Sequence, residues 1–347
     1  MTVLKEHTDK FLSLLCSAEK VCIISHRNPD GDALGSSLAL KSFIEKSLSR
    51  KATVLLPGKP QKCLSFLEGL DEVIFMDTDS ALVGKALSEC DLVVCLDFNV
   101  LERCGDICPL VRNVNVPKVL IDHHPGPEAE SFELVFSRTD VSSACEMLYH
   151  VLMSLPQCRG GAKSLPAQTV TALMTGLTTD TNNFMNSVFD ETLVMASDLL
   201  CAGAPREEII DHIYNENSEN RVRLMGHLLE SEMHITEDGV AVMLLDSLTL
   251  ERYGASLDEL EGFVNIPLGI KEVKMSLFAR EDGSDWRVSL RSKKGTSSRD
   301  LASAFFHGGG HILASGGKVC IPDDCPGGKE NVEKHITSCI KSYFSAR

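Results

Sequence analysis

Three short apolar runs set the plan of the first half of the chain. Val21 to Ile24, Leu92 to Leu96 and Val119 to Ile121 are rich in β-branched residues and stop at polar groups: His26 soon after the first, Asp97 after the second, Asp122 after the third. Runs of this length, apolar throughout, predict strands buried on both faces. Helical periodicity fills the intervals. Met1 to Lys20 places Leu4, Phe11, Leu12, Leu14 and Leu15 among charged residues, and Leu34, Leu38, Phe43 and Ile44 mark the buried side of the next helix. Thr53 to Leu56 and Val73 to Met76 add two strands, with a short helix near Cys63 to Leu67 between them and another helix over Ala81 to Leu87. Strands alternating with helices predict an α/β fold, a mostly parallel, doubly wound sheet.

Beyond Asp122 the segment Pro125-Gly126-Pro127 forces a loop. Ser143 and Glu146 have capping-box spacing ahead of a helix over Ala144 to Met153. Pro166 opens a helix through Leu177 that runs into Thr178-Thr179-Asp180-Thr181. Glu191 to Leu200 is helical, stopped by Gly203. Glu207 to Met233 reads as one long charged helix. Then the pattern changes to short strands, Val240 to Leu245, Lys274 to Ala279, Trp286 to Arg291 and Lys318 to Ile321, with Gly283 where a hairpin turns. Helices over Asp300 to Phe306 and Asn331 to Phe344 complete this smaller α/β region. A chain of 347 residues exceeds what one core usually serves. The expected division is a first domain over 1–205, a connector helix over 206–233 and a second domain over 234–347.

Composition narrows the function classes. Hydrophobic residues at 43% and charged residues at 24% suit a globular protein, and no apolar run has the length of a membrane span. The first helix is amphipathic, unlike a signal peptide. The 13 cysteines include no CxxC pair and are odd in number, which points to a reducing cytoplasm. Cys22, Cys95 and Cys145 read as small core residues; Cys104 and Cys108 are too few ligands for a strong zinc signal. A net charge of −15 argues against long duplex nucleic acid. A small anionic substrate stays open, because a bound divalent cation supplies local positive charge.

The polar groups at the strand ends carry the chemistry. His26, Asp30 and Asp32 share one loop, and Gly31 permits its sharp turn. Together with Asp97, His123 and Asp180 they could form two metal sites sharing a carboxylate. Hard carboxylates with a few imidazoles suit two Mn²⁺ or Mg²⁺ ions, and ions roughly 3.5–4 Å apart can activate a bridging water. Taken singly, Asp32 reads as a helix cap and Asp180 as a loop Asx-turn. His124 diverges from its neighbour, toward substrate phosphate or a structural role. Asp122 is placed to orient a ligand imidazole or to transfer a proton. Ala33, Gly35, Ser36 and Ser37 are small enough for a ligand to approach the backbone. Gly308, Gly309, Gly310 and His311 read either as an anion cradle or as a helix-terminating loop. Arg291 and Arg103 are candidate phosphate donors or solvated charges.

His26-x3-Asp30-x-Asp32, Asp97, Asp122-His123-His124 and Thr179-Asp180-Thr181 together resemble the motifs of the DHH phosphoesterase superfamily. Gly308-Gly309-Gly310-His311 followed by Ala314-Ser315-Gly316 resembles its DHHA1 substrate-binding domain. Size and motif order are most similar to bacterial nanoRNase/pAp phosphatases. The resemblance implies one Mn²⁺ at His26, Asp30 and Asp97 and another at Asp32, Asp97, His123 and Asp180. It implies catalytic roles at Asp97, Asp122, His123 and His124, and substrate contacts from His124, Arg103, Arg291, Gly308, Gly309, Gly310, His311 and Ser315. The expected activity is hydrolysis of short oligoribonucleotides to mononucleotides and of 3′-phosphoadenosine 5′-phosphate (pAp) to AMP. The alternatives are a pApA or cyclic-di-AMP phosphodiesterase and a noncatalytic nucleotide sensor. Neither a membrane nor long duplex nucleic acid is an expected partner, and a homodimer is left open. Asn182-Asn183 and Met185 depart from many relatives, beside the Thr-Asp-Thr triplet.

Overall fold

A computed structural model describes residues 5–310 and 312–345. The chain divides into two compact units between Glu216 and Asn217.

The first unit contains α1 (Lys5–Ser17), β1 (Lys20–Ile24), α2 (Gly31–Leu48), β2 (Lys51–Leu56), β3 (Ile74–Phe75), α3 (Ser80–Glu89), β4 (Leu92–Leu96), α4 (Cys108–Asn113), β5 (Lys118–Asp122), β6 (Leu134–Ser137), α5 (Ala144–Met153), α6 (Ala167–Asp180), α7 (Asp190–Cys201) and α8 (Arg206–Ile210). Its six strands lie in the order β3-β2-β1-β4-β5-β6, all pairs parallel. Sequence order reverses between β1 and β4, and such a switch point opens a crevice at the carboxyl ends of the strands. Register aligns those ends, with Ile24 opposite Cys95 and Leu96 opposite Ile121.

Both faces of this sheet are covered, as continuous apolar strands require. On one face Ile23, Val94 and Ile121 pack with Leu34, Leu38 and Phe43 of α2 and with α5 and α6. On the other, Ile24, Cys95 and Leu120 pack with Val83, Leu87 and Val111. Cys104 and Cys108 are buried free thiols within that second core.

The second unit contains α9 (Glu219–His227), β7 (His234–Ile235), β8 (Val240–Leu245), α10 (Ser247–Tyr253), β9 (Met275–Asp282), β10 (Asp285–Ser292), α11 (Ser298–Phe305), β11 (Gly309–Gly310), β12 (Ala314–Val319) and α12 (Lys329–Ser345). The strand order is β11-β12-β10-β9-β8-β7; β8 and β9 are parallel and the other pairs antiparallel. Gly283, at φ +67°, turns the β9–β10 hairpin. Val242, Leu277 and Val288 pack with Leu301 of α11 and Ile336 of α12. Met243, Phe278 and Phe263 form a second cluster with Leu224 and Leu228.

Several elements differ from the sequence pattern. The stretch read as one helix from Glu207 to Met233 is α8, a wide π-type turn over Asp211–Asn215, then α9, restarted where the Ser218 hydroxyl accepts from the Arg221 amide. A polar, charged stretch lacks an apolar stripe that would report this break. The strand expected at Lys318 to Ile321 is β12, four residues earlier, and includes Gly316 and Gly317. Glycines there signal a loop, but the strand passes through both, and at Gly317 and Gly308 the close packing leaves no room for a side chain. A Cβ on Gly317 would lie 2.3 Å from the Phe306 carbonyl oxygen, and one on Gly308 would lie 2.0 Å from that of Gly316. Among the described residues, no helix is long and apolar enough to cross a membrane.

Candidate metal centre

The C-terminal ends of β1, β4 and β5 deliver His26, Asp97 and Asp122 to one place, with His123 and His124 directly after β5. Helices α2 and α6 complete the set. Asp32 sits in the first turn of α2 and Asp180 is the last residue of α6. Glycine lets these helices close on one another. A Cβ on Gly31 would fall 2.3 Å from the Thr179 hydroxyl, one on Gly35 2.6 Å from the Ala172 carbonyl, and one on Gly176 2.2 Å from Cys145 Sγ. Gly35 therefore serves helix packing, not the ligand approach its small neighbours suggest.

Asp97 is the hub. It is 3% exposed and its backbone is left-handed at φ +63°, an uncommon conformation for a residue with a side chain. Its Oδ2 lies 3.2 Å from His26 Nε2, and its Oδ1 lies 3.4 Å from His123 Nε2. His26 Nδ1 is 2.9 Å from the Arg27 carbonyl, which can only accept, so Nδ1 donates and Nε2 carries the lone pair of the neutral ring. His123 Nε2 also lies 3.8 Å from Asp180 Oδ2, and His26 Nε2 lies 4.0 Å from Asp30 Oδ1. The ligand atoms of His26, Asp30 and Asp97 lie within 4.8 Å of one another, and so do those of Asp32, His123 and Asp180. One carboxylate thus turns an oxygen toward each group.

Asp30 and Asp32 exchange the roles their positions suggest. Asp30 caps α2, its Oδ1 accepting from the Asp32 and Ala33 amides at 3.0 Å. Asp32 does not cap its own helix. Its carboxylate accepts from the Ala144 amide at 2.6 Å and the Cys145 amide at 2.8 Å, at the N-terminus of α5. Asp180 is helical, because α6 continues three residues beyond Leu177 with the Thr178 and Thr181 hydroxyls bonded back to the Met174 and Leu177 carbonyls. Asp122 pairs with His124, not with His123. Its Oδ1 accepts from His124 Nδ1 at 2.8 Å and its Oδ2 from the His124 amide at 3.1 Å.

The electrostatics fit a cation. Burial raises the Asp32 carboxyl well above the usual range, and Asp97 and Asp180 add repulsion. Asp180 is pushed up to about 7 by burial, with Asp97 and Asp30 adding repulsion against the pull of His123 and His124. Burial works against charge on His26 and His123, yet Asp97 outweighs it and holds them at about 9 and about 10. Asp97 itself is held below its usual value despite burial, because His123 and His26 hydrogen-bond to it. Protons shared among crowded carboxylates mark a place where divalent cations would do the compensating. Oxygen and imidazole donors of this kind suit Mn²⁺ or Mg²⁺.

The remaining sequence candidates divide between the units. In the first unit, the Arg103 carbonyl accepts from the Arg27 amide at 2.8 Å, tying the segment after Asp97 to the His26 loop. In the second, Arg291 lies opposite Ala314 and Ser315 opposite Leu290 in the β10–β12 pair. Arg291 is half-buried and its Nη1 donates to the Leu290 carbonyl at 2.9 Å. Gly309 and Gly310 pair with Gly316 and Ser315, and the Gly308 amide donates to the Ala302 carbonyl. The glycine run is thus a helix stop leading into an edge strand. The Ser315 hydroxyl is buried without a hydrogen-bond partner among the described residues. His311 lies outside the described residues. Sequence reasoning missed the Ala144 and Cys145 amides and Gly176, which act through backbone and through a missing side chain; the capping-box spacing at Ser143 was the nearest signal.

Comparison with known proteins agrees with this geometry. The DHH family, N-terminal domain, matches residues 20–177, and the DHHA1 domain matches residues 238–342. The Bacillus subtilis bifunctional oligoribonuclease and PAP phosphatase NrnA is 30% identical over 306 residues, covering 87% of this chain and 90% of that protein. A probable counterpart from Streptococcus mutans is 27% identical, covering 88% and 91%. The crystal structure of an exopolyphosphatase-related protein from Bacteroides fragilis superposes with a TM-score of 0.89 at 32% identity, over 99% of this chain and 97% of that one.

Proposed function

The chain belongs to the DHH/DHHA1 phosphoesterase superfamily, and from that footing we propose that it hydrolyses short oligoribonucleotides to mononucleotides and pAp to AMP, using two divalent cations, Mn²⁺ foremost. The observation that carries the reading is the division of the Asp97 carboxylate between His26 and His123. His26, Asp30 and Asp97 would hold one ion, and Asp32, Asp97, His123 and Asp180 the other. Bound there, the pair would supply Lewis-acid activation of water and would neutralise charge on the phosphoryl group.

The chain's own groups do the rest. Hydrolysis forms a bond from a water oxygen to phosphorus, breaks the phosphorus–ester oxygen bond and needs a proton on the leaving hydroxyl. Asp122 fixes the His124 tautomer with the proton on Nδ1 and the ring immobile. With Nε2 protonated as well, His124 would donate to a substrate phosphate oxygen or pass that proton to the leaving oxygen, the attacking water giving up a proton in exchange. Arg291, Gly308 to Gly310 and Ser315 bind substrate phosphate in this reading. The Bacillus subtilis and Streptococcus mutans relatives are named for both activities, which supports the substrate assignment. The net charge of −15 supports short substrates, because a long strand would meet repulsion along its length.

The test is turnover of pAp, pApA, a five-nucleotide RNA, a twenty-nucleotide RNA, cyclic di-AMP and pyrophosphate in Mn²⁺, with Asp97→Asn as control. Release of AMP from pAp and of mononucleotides from the short RNAs, lost in the variant, is the expected result. Turnover confined to pyrophosphate, cyclic di-AMP or the long RNA would overturn the substrate assignment. Full activity in Asp97→Asn would overturn the metal assignment.

A further inference from the structure

The second unit holds a separate cluster of metal-type side chains. His307 follows the end of α11 with a left-handed backbone, φ +47°. Cys320 follows β12 directly, and Asp324 lies four residues further on. The Asp324 amide donates to the Cys320 carbonyl at 2.9 Å, and the Cys320 amide donates to Asp324 Oδ2 at 2.7 Å. This closed turn holds thiol and carboxylate near each other. His307 Nε2 meets them from another segment, 2.9 Å from Asp324 Oδ1 and 3.0 Å from Oδ2. The His307, Cys320 and Asp324 ligand atoms all lie within 4.8 Å of one another.

We propose that His307, Cys320 and Asp324 form a zinc-class cation site distinct from the centre at Asp97. The donor chemistry separates the two. A thiolate, an imidazole and a carboxylate make a borderline-soft set that favours Zn²⁺ over Mn²⁺ or Mg²⁺, whereas the first centre offers oxygen and imidazole donors. Distances are close to what an ion needs. Ligand atoms on a tetrahedral zinc, with bonds of about 2.0–2.3 Å, sit roughly 3.3–3.8 Å apart. His307 and Asp324 are now a hydrogen-bonded pair, and small side-chain rotations would open them around an ion, which would displace the shared proton.

Three protein ligands leave a fourth position for water or an incoming donor. The site also has a structural consequence. Gly308 follows His307 immediately and leads into β11, which pairs with β12, and Cys320 directly follows β12. An ion would therefore clamp one end of the antiparallel β11–β12 pair, where β11 begins and β12 ends, making the setting of Gly308 to Gly310 responsive to metal.

The test is titration of the full chain with Co²⁺ alone, read as a thiolate-to-cobalt charge-transfer band in the near ultraviolet. The first centre, with no thiolate among its proposed ligands, contributes nothing to that band. The site predicts a band that saturates at the amplitude of one thiolate-bound Co²⁺ per chain and is bleached by Zn²⁺. The band disappears in Cys320→Ser, needs at least tenfold more Co²⁺ in His307→Ala and persists in Asp97→Asn. Absence of the band in the wild-type protein, or the same band in Cys320→Ser, would overturn the site. Because the readout ignores catalysis, loss of the proposed phosphoesterase activity and loss of this site are separate results.

Discussion

Asp32 and Ala144 are 112 residues apart, yet the Asp32 carboxylate accepts the Ala144 amide at 2.6 Å and so caps a helix other than its own. One carboxylate thereby couples the packing of α2, α5 and α6 to the geometry of the candidate metal centre. The amide dipoles at the α5 N-terminus favour its charged form, which offsets part of the burial that opposes it.

Gly176 is where that packing is tightest. A Cβ there would sit 2.2 Å from Cys145 Sγ and 2.9 Å from Asp32 Oδ1. Gly176→Ala should destabilise the protein by about 1–3 kcal/mol and weaken Mn²⁺ binding. Thermal unfolding and a Mn²⁺ titration check this; unchanged values for both would show that α2 and α6 can separate freely.

Asp97→Asn should abolish turnover while leaving the circular dichroism spectrum native. Outer-shell partners of a metal typically cost about 10–100-fold, so a shared ligand should cost more. Mn²⁺ stoichiometry of the variant, measured alongside turnover, should fall below that of the wild-type protein.

Asp122→Asn probes the His124 pair without touching a proposed ligand. The variant keeps an acceptor but loses the charge that fixes the tautomer. We expect kcat on pAp to fall about 10–100-fold, with KM and Mn²⁺ stoichiometry near wild type. A fall in metal content instead would place Asp122 among the ligands.

Glu146 gives a pH dependence unrelated to metal. Its buried carboxylate accepts from the Ser142 amide and hydroxyl and from the Thr192 hydroxyl, joining α5 to α7. Burial works to raise its pKa, but His150, Ser142 and Thr192 hold it below the usual glutamate value. A carboxyl lowered in the native state stabilises the fold above its unfolded pKa of about 4.3, and that contribution is lost as pH falls through the native value. Glu146→Gln should cost roughly 1–3 kcal/mol at neutral pH, and its melting temperature should converge on wild type in acid. A constant gap from pH 7 to pH 3 would count against the linkage.

Chelation should remove activity, and Mn²⁺ should restore it. Activity that survives exhaustive chelation would point to chemistry independent of the Asp97 centre.

Local pattern determined much of this protein. Apolar runs ending at His26, Asp97 and Asp122 specify buried parallel strands and the end of the sheet where polar groups collect, because a strand buried on both faces can carry polar side chains only at its ends. The motif set from His26 to Asp180 and the Gly308 to Gly310 run were enough to suggest the superfamily, since those residue types at those spacings have few other reasons to occur together. Tertiary structure alone decided who partners whom. That Asp32 caps α5 depends on a contact between segments 112 residues apart, on which local spacing is silent; that Asp122 holds His124 two residues on, and that Asp180 ends a helix, depend on how the chain leaves β5 and how far α6 continues, which the residue types leave open. The same is true of Gly316 and Gly317, which look like a loop and lie in a strand. The missing side chain at Gly317 matters because the Phe306 carbonyl approaches within 2.3 Å of where a Cβ would lie, a distance no Cβ would allow.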